Sequence, residues 1–290
     1  MKILVTGATG NIGGKVANRL IERGLTPTLF TRDLRRGTDL FGGRASLSEG
    51  DLGDASALRR VFEGIDALFL VSTGADLARR DQLVAQVART SGVRRIVKLS
   101  SLDAASSEAH EQSDGVRMGA WHSAGEVAIR ESGLRWCFLR PTGFMSNALA
   151  WTFSIKQEGM VKAPTGDGRI AMVHPDDIAD VAVKALLEPE LEGKVLELTG
   201  PEALSYAEMI SILAKASQRS IDFSPITDEE AHARMLRVGM DPPVATALVA
   251  LWRDVRLGRS GLVTSTVEGV LGRPPRSFRD WARENASAFQ

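Results

Sequence analysis

The sequence predicts an α/β fold, in which a doubly wound parallel sheet is followed by a smaller, mainly helical C-terminal lobe. Two observations lead to this prediction. In the first half of the chain, short apolar runs of strand length alternate with segments whose apolar residues recur at helical spacing. From Ser205 onward, helical patterns predominate. Strands and helices that alternate with short connections are typical of a parallel sheet covered by helices on both faces.

The clearest unit of this pattern opens the chain. The apolar residues at 3–5 predict a strand buried on both faces, and those from Ile12 to Ile21 predict a helix that ends before Gly24. Between them lies a Gly-x-x-Gly-x-x-Gly turn made by Gly7, Gly10 and Gly13. Such a turn presents backbone N–H groups and the positive end of a helix dipole to an anion. We therefore predict a dinucleotide pyrophosphate site, the alternative being a turn that only packs the helix on the sheet.

The same alternation continues along the chain. The patterns predict strands over 25–31, 65–71, 95–100 and 136–140, helices over 54–62, 77–91 and 120–132, and a polar loop over 101–119. Beyond Pro141 they predict helices over 151–157, 175–187, 206–217, 228–238, 243–257 and 278–288, and a strand over 195–198 that returns to the sheet. We expect a Rossmann-type NADP-binding domain over 1–150, completed by parts of 170–200, and a smaller substrate lobe over 151–290.

Composition excludes several classes of protein. The 290 residues carry 36 basic and 36 acidic side chains, so bulk charge does not favour a nucleic acid or an anionic membrane. Cys137 is the sole cysteine, which rules out an intrachain disulfide, and its apolar surroundings predict a core position. No apolar run approaches membrane-spanning length. We expect a cytoplasmic monomer or homodimer that acts on a small aromatic substrate.

The end of the second strand indicates which nucleotide is bound. In folds of this type an acidic residue there bonds the ribose 2′-hydroxyl, whereas an arginine accommodates a 2′-phosphate. This chain has Thr31, Arg32 and Asp33 at that place. A guanidinium holds a phosphate through two parallel charged hydrogen bonds, so Arg32 favours NADP over NAD. Asp33 would oppose a phosphate if its carboxylate turned inward, and the alternative reading is a solvated charged loop.

Other strand ends supply the remaining walls of the predicted cofactor site. We expect Asp51 and Leu52 to border the adenine and Ser100 to lie near the nicotinamide. The stretch beside the ribose and pyrophosphate consists of Val71, Ser72 and Thr73. Serine and threonine are common in any turn, so each of these positions is equally explained by loop chemistry, and the prediction depends on the set.

Several motifs resemble the NmrA-like group of atypical short-chain dehydrogenase/reductase proteins. They are Thr6–Gly13, Leu99–Ser101, Ser132–Leu134, Leu139–Pro141, Phe144–Asn147 and His174–Ala179. The resemblance implies an NADP-binding Rossmann domain with a small C-terminal lobe, in a group that includes NADPH-dependent quinone reductases, azoreductase-like proteins and redox-sensing regulators. It also implies that Arg32 holds the 2′-phosphate and that Pro141 and Phe144 pack near the nicotinamide. By the same resemblance, the pyrophosphate is held by Gly7, Thr9, Gly10, Asn11, Ile12 and Gly13.

The chain departs from the wider short-chain dehydrogenases in its catalytic residues. Those enzymes use a Tyr-x-x-x-Lys pair, but the only tyrosine here is Tyr206, and Ile210 stands four positions later. On the helix after the fifth strand, Ala124 stands where the resemblance places a lysine. Ordinary alcohol or ketone chemistry is therefore not expected.

Few residues remain as candidates for chemistry. His122 is a possible general acid and Ser101 could orient a substrate carbonyl, and each is equally explained by structural hydrogen bonds. The residue spacing predicts no metal site. Phe144, Met145 and Trp151, together with Phe153, could form an apolar wall for an aromatic substrate, the alternative being that they belong to the core.

Three functions are compatible with these features. The sequence offers many residues for binding a cofactor and few for acid–base catalysis. This favours an NADPH-dependent oxidoreductase that transfers hydride to a quinone or a similar aromatic acceptor, because such an acceptor needs little acid–base assistance. The first alternative is a non-catalytic NADP-binding redox sensor that binds a partner protein. The second is a tailoring enzyme that acts on aromatic polyketide-like compounds.

Overall fold

The computed structural model describes residues 1–105 and 117–290. Its strands are β1 (Ile3–Thr6), β2 (Thr28–Thr31), β3 (Ser46–Glu49), β4 (Ala67–Leu70), β5 (Arg95–Leu99), β6 (Arg135–Pro141), β7 (Met160–Ala163), β8 (Arg169–Ile170), β9 (Lys194–Leu198), β10 (Leu204–Ser205) and β11 (Asp222–Pro225). Its helices are α1 (Asn11–Glu22), α2 (Leu34–Phe41), α3 (Ala55–Val61), α4 (Leu77–Thr90), α5 (Met118–Glu131), α6 (Thr152–Glu158), α7 (Pro175–Leu187), α8 (Tyr206–Ser217), α9 (Asp228–Arg237), α10 (Pro242–Arg256), α11 (Thr266–Leu271) and α12 (Phe278–Glu284). Part of the polar loop predicted over 101–119 lies outside the described residues.

Seven strands form one sheet in the order β3-β2-β1-β4-β5-β6-β9. All neighbouring pairs from β3 to β6 are parallel. The chain runs outward from β1 to β3 and then crosses back to β4 on the other side of β1. This reversal is the switch point at which open α/β sheets bind ligands, beyond the carboxyl ends of the strands. The predicted fold class is confirmed, as is the return of the strand near 195–198 to the sheet.

Two compact units divide the described chain. The first contains residues 1–105, Gly119–Arg140 and Ile178–Leu196, and it holds most of the seven-stranded sheet. Its core includes β1, which is buried at every position, and a cluster in which α3 and α4 pack against the sheet. The predicted roles of these regions, cofactor binding and substrate binding, remain predictions.

The second unit contains residues 117–118, Pro141–Asp177 and Glu197–Gln290. Two short strand pairs, β8 with β10 and β7 with β11, lie in it. Its main cluster packs α8 against α12, with Met209 fully buried and Trp281 3% exposed. Helices predominate after Ser205, as predicted. Within the described residues, no helix is long and apolar enough to cross a membrane.

Helix α2 is an element that the sequence pattern did not predict. Its interior includes Gly37, which argues against a helix on propensity alone. A β-carbon at Gly37 would lie 3.2 Å from the Leu47 side chain on β3, so the glycine lets α2 pack closely against the sheet. Asp33 caps the helix by accepting a hydrogen bond from the Arg36 backbone N–H at 2.9 Å.

Candidate functional site

The glycine turn after β1 has a geometry that requires glycine. Gly7 adopts φ +64°, a left-handed conformation that other residues rarely adopt. The backbone N–H of Gly10 donates to the Gly7 carbonyl at 2.9 Å and closes the turn. A β-carbon at Gly13 would lie only 2.3 Å from that same carbonyl oxygen. The first and third glycines are therefore fixed by backbone conformation and by the close approach of α1 to the turn.

The N-terminus of α1 is suited to an anion. Gly10 is the N-cap and has no side chain to occupy the first-turn N–H groups, and the first turn contains no acidic residue. Thr6 ties the neighbouring strand ends together, since its hydroxyl accepts from the Val71 N–H at 2.7 Å. Ile12 is 4% exposed, so a cofactor contact there would come from its backbone. These features fit the pyrophosphate of a dinucleotide.

The Arg32 and Asp33 side chains have different surroundings, as the NADP prediction requires. The Asp33 carboxylate is committed to the N-cap of α2, while Arg32 is exposed. Thr31 supports this corner, because its hydroxyl accepts from the Asp33 N–H at 3.1 Å. The carboxylate that would have repelled a phosphate is thus held by its own helix. The role of Arg32 remains a prediction that this geometry supports.

The walls near the adenine and ribose are loops at strand ends. Asp51 accepts a hydrogen bond from the Gly53 N–H at 2.7 Å, which shapes the turn after β3. Leu52 is half-buried beside it and Thr73 is exposed. Ser72 is different, since its hydroxyl donates at 2.5 Å to the buried Asp81 carboxylate. A cofactor contact at Ser72 would therefore depend on its backbone.

Ser100 belongs to a second buried network in the same unit. Its hydroxyl donates at 2.5 Å to Glu126, which is fully buried on α5. Arg140 donates two hydrogen bonds to the same carboxylate, at 3.0 and 2.7 Å, and Arg130 donates a third at 3.2 Å. The Ser100 hydroxyl therefore links the end of β5 to α5, and its expected position near the nicotinamide remains a prediction.

His122 lies in a third arrangement, which the sequence analysis missed. Lys98 of β5 and Asp81 of α4 are both fully buried and form an ion pair with 2.6 Å between Lys98 Nζ and Asp81 Oδ2. The Nδ1 atom of His122 lies 3.4 Å from the same Nζ. The signal available in the sequence was a lysine inside an otherwise buried strand, since lysine is almost never fully buried without a partner.

This environment favours the neutral form of His122, and its role as a general acid remains a prediction. Burial, and to a lesser degree the Lys98 charge, holds the pKa of His122 well below 6.5. The neutral imidazole still donates through one nitrogen. Ser101 is half-buried, and its carbonyl accepts from the Ala104 N–H at 3.1 Å. Its proposed contact with a substrate remains a prediction.

The residues of the predicted aromatic wall lie in the second unit. Some of them are buried in its core, and others are partly or largely exposed. Met145 is 1% exposed and packs in the main cluster, which agrees with the core alternative, and its substrate contact remains a prediction. Trp151 is half-buried, with its ring 5.1 Å from that of Tyr206. Phe144 is half-buried and Phe153 is 75% exposed. Pro141 is buried at the end of β6. Phe144 and Trp151 remain candidates for substrate contact.

Tyr206 and Cys137 are both structural in character. The Tyr206 hydroxyl accepts a hydrogen bond from Trp252 Nε1 at 3.1 Å, and burial raises the pKa of its phenol to about 12. Burial likewise raises the pKa of the Cys137 thiol to about 12. Neither group is suited to proton transfer or nucleophilic attack at neutral pH.

His174, Asp176 and Glu284 bring potential metal-ligand atoms within 4.8 Å of one another. Both ring nitrogens of His174 already have protein partners. Nδ1 accepts from the Asp176 N–H at 3.1 Å, and Nε2 lies 3.2 Å from a Glu284 oxygen. Through these contacts His174 joins the start of α7 to α12. The spacing did not reveal the cluster because Glu284 comes from a distant helix.

Comparisons with known proteins show the family to which this chain belongs. A family model described as NAD(P)H-binding matches residues 7–189. The chain is 38% identical over 287 residues, 99% of both chains, to a (4-alkanoyl-5-oxo-2,5-dihydrofuran-3-yl)methyl phosphate reductase of Streptomyces griseus. It is 32% identical over 288 residues, again 99% of both chains, to an NAD(P)H azoreductase of Xenophilus azovorans.

The fold also matches solved structures. An NADPH-dependent quinone oxidoreductase of Escherichia coli, solved in complex with NADPH, superposes with a TM-score of 0.84 over 98% of this chain and 99% of that one. The sequence identity is 23%, so this likeness establishes the shared fold.

Proposed function

Because this chain belongs to the NAD(P)H-binding family, we propose that it is an NADPH-dependent oxidoreductase that transfers hydride to a quinone or a similar conjugated aromatic acceptor. Family membership confirms the predicted resemblance to the NmrA-like reductases. The observation that carries the proposal is a complete glycine turn and helix N-terminus in a chain without a Tyr-x-x-x-Lys pair. The chain can hold a nicotinamide cofactor, and its chemistry needs an acceptor that is already reactive.

The residues of the first unit have distinct roles in this proposal. The first-turn N–H groups of α1 bind the pyrophosphate, and Arg32 binds the 2′-phosphate that distinguishes NADPH from NADH. When bound, NADPH supplies the hydride. Asp33 does not oppose the phosphate, because its carboxylate is held at the N-cap of α2.

The acceptor class follows from what the chain lacks. A ketone needs a proton donor as hydride arrives, whereas a quinone is a strong acceptor, and positioning alone accounts for much of the rate. Hydride and one proton together convert the quinone to the hydroquinone, and water can deliver the proton. The relatives' names support this choice, since a quinone reductase and an azoreductase both reduce electron-poor conjugated groups.

A second acceptor class is favoured by the Streptomyces griseus relative. Its named substrate is an unsaturated lactone that carries an alkanoyl group, so a conjugated C=C bond is its natural hydride acceptor. We therefore include an alkanoyl furanone among the acceptors to be tested. Like a quinone, this acceptor is activated by its own carbonyl groups.

The experiment is a measurement of NADPH oxidation by the purified protein with four acceptors: a benzoquinone, an azo dye, an alkanoyl furanone and an unactivated ketone. We expect turnover with one or more of the first three and none with the ketone. Tight NADPH binding without turnover on any acceptor would contradict the proposal and favour the redox-sensor alternative. Turnover of the ketone alone would contradict the argument from the missing Tyr-x-x-x-Lys pair.

A further inference from the structure

We propose that Lys98 and Asp81 are positioning residues that hold His122 as a fixed hydrogen-bond donor, with its proton on Nε2. The arrangement joins α4, β5 and α5 inside the first unit. The kinetic consequence of this inference rests on the proposed function. The tautomer and charge of His122 do not depend on the proposed function, and they can be measured separately.

The direction of the hydrogen bond follows from the chemistry of lysine. An ammonium group donates three hydrogen bonds and accepts none. Lys98 Nζ lies 3.4 Å from His122 Nδ1, so Nδ1 must accept and carries no proton. A neutral imidazole has one N–H, which then stands on Nε2. Lys98 thereby selects one tautomer of His122.

Asp81 in turn holds Lys98. Its Oδ2 lies 2.6 Å from Nζ, and its Oδ1 accepts from the Ser72 hydroxyl at 2.5 Å. Both charged side chains are fully buried. A β-carbon at Gly125 of α5 would lie 2.3 Å from Asp81 Oδ2, so the absence of a side chain there lets α5 pack directly over the pair.

A simple packing role explains this arrangement poorly. A buried ion pair is often no more stabilising than apolar side chains of similar volume, because both charges lose their hydration. Here the pair connects the Ser72 side chain, in the predicted cofactor loop, to His122 near the start of α5. Fixing two positions beside the carboxyl ends of the strands is a role that an apolar pair would not fill.

Among the residues that the structure describes, the other charges near His122 have partners. Glu126 lies one helical turn further along α5 and is engaged by Arg140 and Arg130. Asp81 faces the site from α4 and Lys98 from β5. Burial of His122 and the neighbouring Lys98 cation both favour its neutral form.

The direct test is ¹⁵N NMR of the histidine rings, with His122 assigned through a His122→Gln variant. For the wild type we expect the Nε2–H tautomer of His122 at pH 7, and the same signals at pH 6. The Asp81→Asn/Lys98→Met double variant removes both charges together, so no unpaired charge is left buried. In this variant we expect a mixture of tautomers. Lys162→Met removes a half-buried lysine of the second unit that pairs with Glu158, and it should leave the His122 signals unchanged.

Two NMR results would overturn the inference: an Nδ1–H tautomer in the wild type, or an unchanged Nε2–H tautomer in the double variant. Neither readout requires turnover, so their failure is distinct from failure of the proposed function.

The kinetic test compares two substitutions of His122. Glutamine retains a non-titrating N–H donor, whereas leucine has none. We expect His122→Leu to lower kcat with a productive acceptor by about 10- to 100-fold, and His122→Gln to restore most of that loss. The NADPH dissociation constant should stay within about twofold in both variants. Equal kcat values for the two variants would show that His122 is not a donor in the reaction and would overturn its assigned role.

Discussion

Arg32 is the residue that should decide between the two nicotinamide cofactors. Arg32→Ala removes a paired, charge-assisted contact to the 2′-phosphate, which NADH lacks. We expect the NADPH dissociation constant to rise about 10- to 100-fold and that of NADH to change less than about threefold. Titration calorimetry or fluorescence with both cofactors measures the difference. Arg59→Ala, at an exposed position of α3, is the matched control and should leave both constants unchanged. Equal losses for the two cofactors in Arg32→Ala would refute the assignment.

A substitution at Gly13 tests whether the glycine turn binds the cofactor. A β-carbon at this position would lie 2.3 Å from the Gly7 carbonyl oxygen, which is backbone and cannot move without opening the turn. We expect Gly13→Ala to lower the free energy of unfolding by about 1–3 kcal/mol and to abolish the rise in Tm that NADPH causes. Thermal unfolding with and without NADPH gives both values.

Gly43→Ala is the control for this substitution. A β-carbon at Gly43 has no neighbour within 4 Å, and its φ is not in the left-handed region. The variant should therefore keep the wild-type response to NADPH. An undiminished NADPH response in Gly13→Ala would mean that the turn does not bind the cofactor as proposed.

At the scale of elements, the start of α7 is anchored to the C-terminal segment. The Asp177 side chain is fully buried and accepts from Arg273 at 2.8 Å, from Arg276 and from the Arg276 backbone N–H. Asp177→Ala removes a buried acceptor of several charge-assisted hydrogen bonds, while both arginines stay partly hydrated, so we expect a loss of about 1–3 kcal/mol in the free energy of unfolding. Denaturant unfolding measures the loss.

Asp76→Ala removes an exposed ion pair with Arg79 and serves as the comparison. Its expected cost is under about 0.5 kcal/mol, because solvent screens the pair and its geometry is loose. If both aspartate variants cost the same, Asp177 would not be an anchor.

At the scale of the whole molecule, His122 makes stability depend on pH. The folded state keeps His122 neutral, because burial and Lys98 hold its pKa well below 6.5. In the unfolded chain the same imidazole takes up a proton as the pH falls below about 6.5. The unfolded state then binds more protons than the native state, so stability is present above this pH and is lost as the pH falls.

We therefore expect the wild type to lose up to about 1.4 kcal/mol more stability than His122→Gln for each pH unit below 6.5. Denaturant unfolding between pH 7 and pH 5.5 measures the difference. Ser123→Ala, at the next position of the same helix, should keep the wild-type dependence. Parallel curves for wild type and His122→Gln would contradict the assignment of a buried neutral histidine.

The sequence predicted the features that depend on local pattern. The glycine turn, the alternation of strands and helices, and most helix bounds after Ser205 follow from periodicity and from the chemistry of glycine. The helix over Tyr206–Ser217 agrees with its predicted bounds, since a capping box begins it. By contrast α2 depends on tertiary packing of Gly37 against Leu47, which no local pattern records.

The candidate site shows the same difference between features that follow from local pattern and features that depend on tertiary contacts. Arg32 could be proposed from the sequence because its place after β2 is set by the fold, and its role remains a prediction. The Asp81–Lys98–His122 arrangement was missed because its members come from three separate elements and meet only through the topology of the sheet. The commitment of the Ser72 and Ser100 hydroxyls to buried carboxylates was missed for the same reason.

Hydride transfer from bound NADPH to a conjugated acceptor is the proposed activity of this protein. Its most direct test is a single-turnover measurement, in which the protein is loaded with NADPH deuterated on either face of the nicotinamide C4 and mixed with excess acceptor. We predict that oxidation of bound NADPH is slowed by deuterium on one face and unaffected by deuterium on the other. Bound NADPH that no quinone, azo or furanone acceptor oxidises would contradict the account.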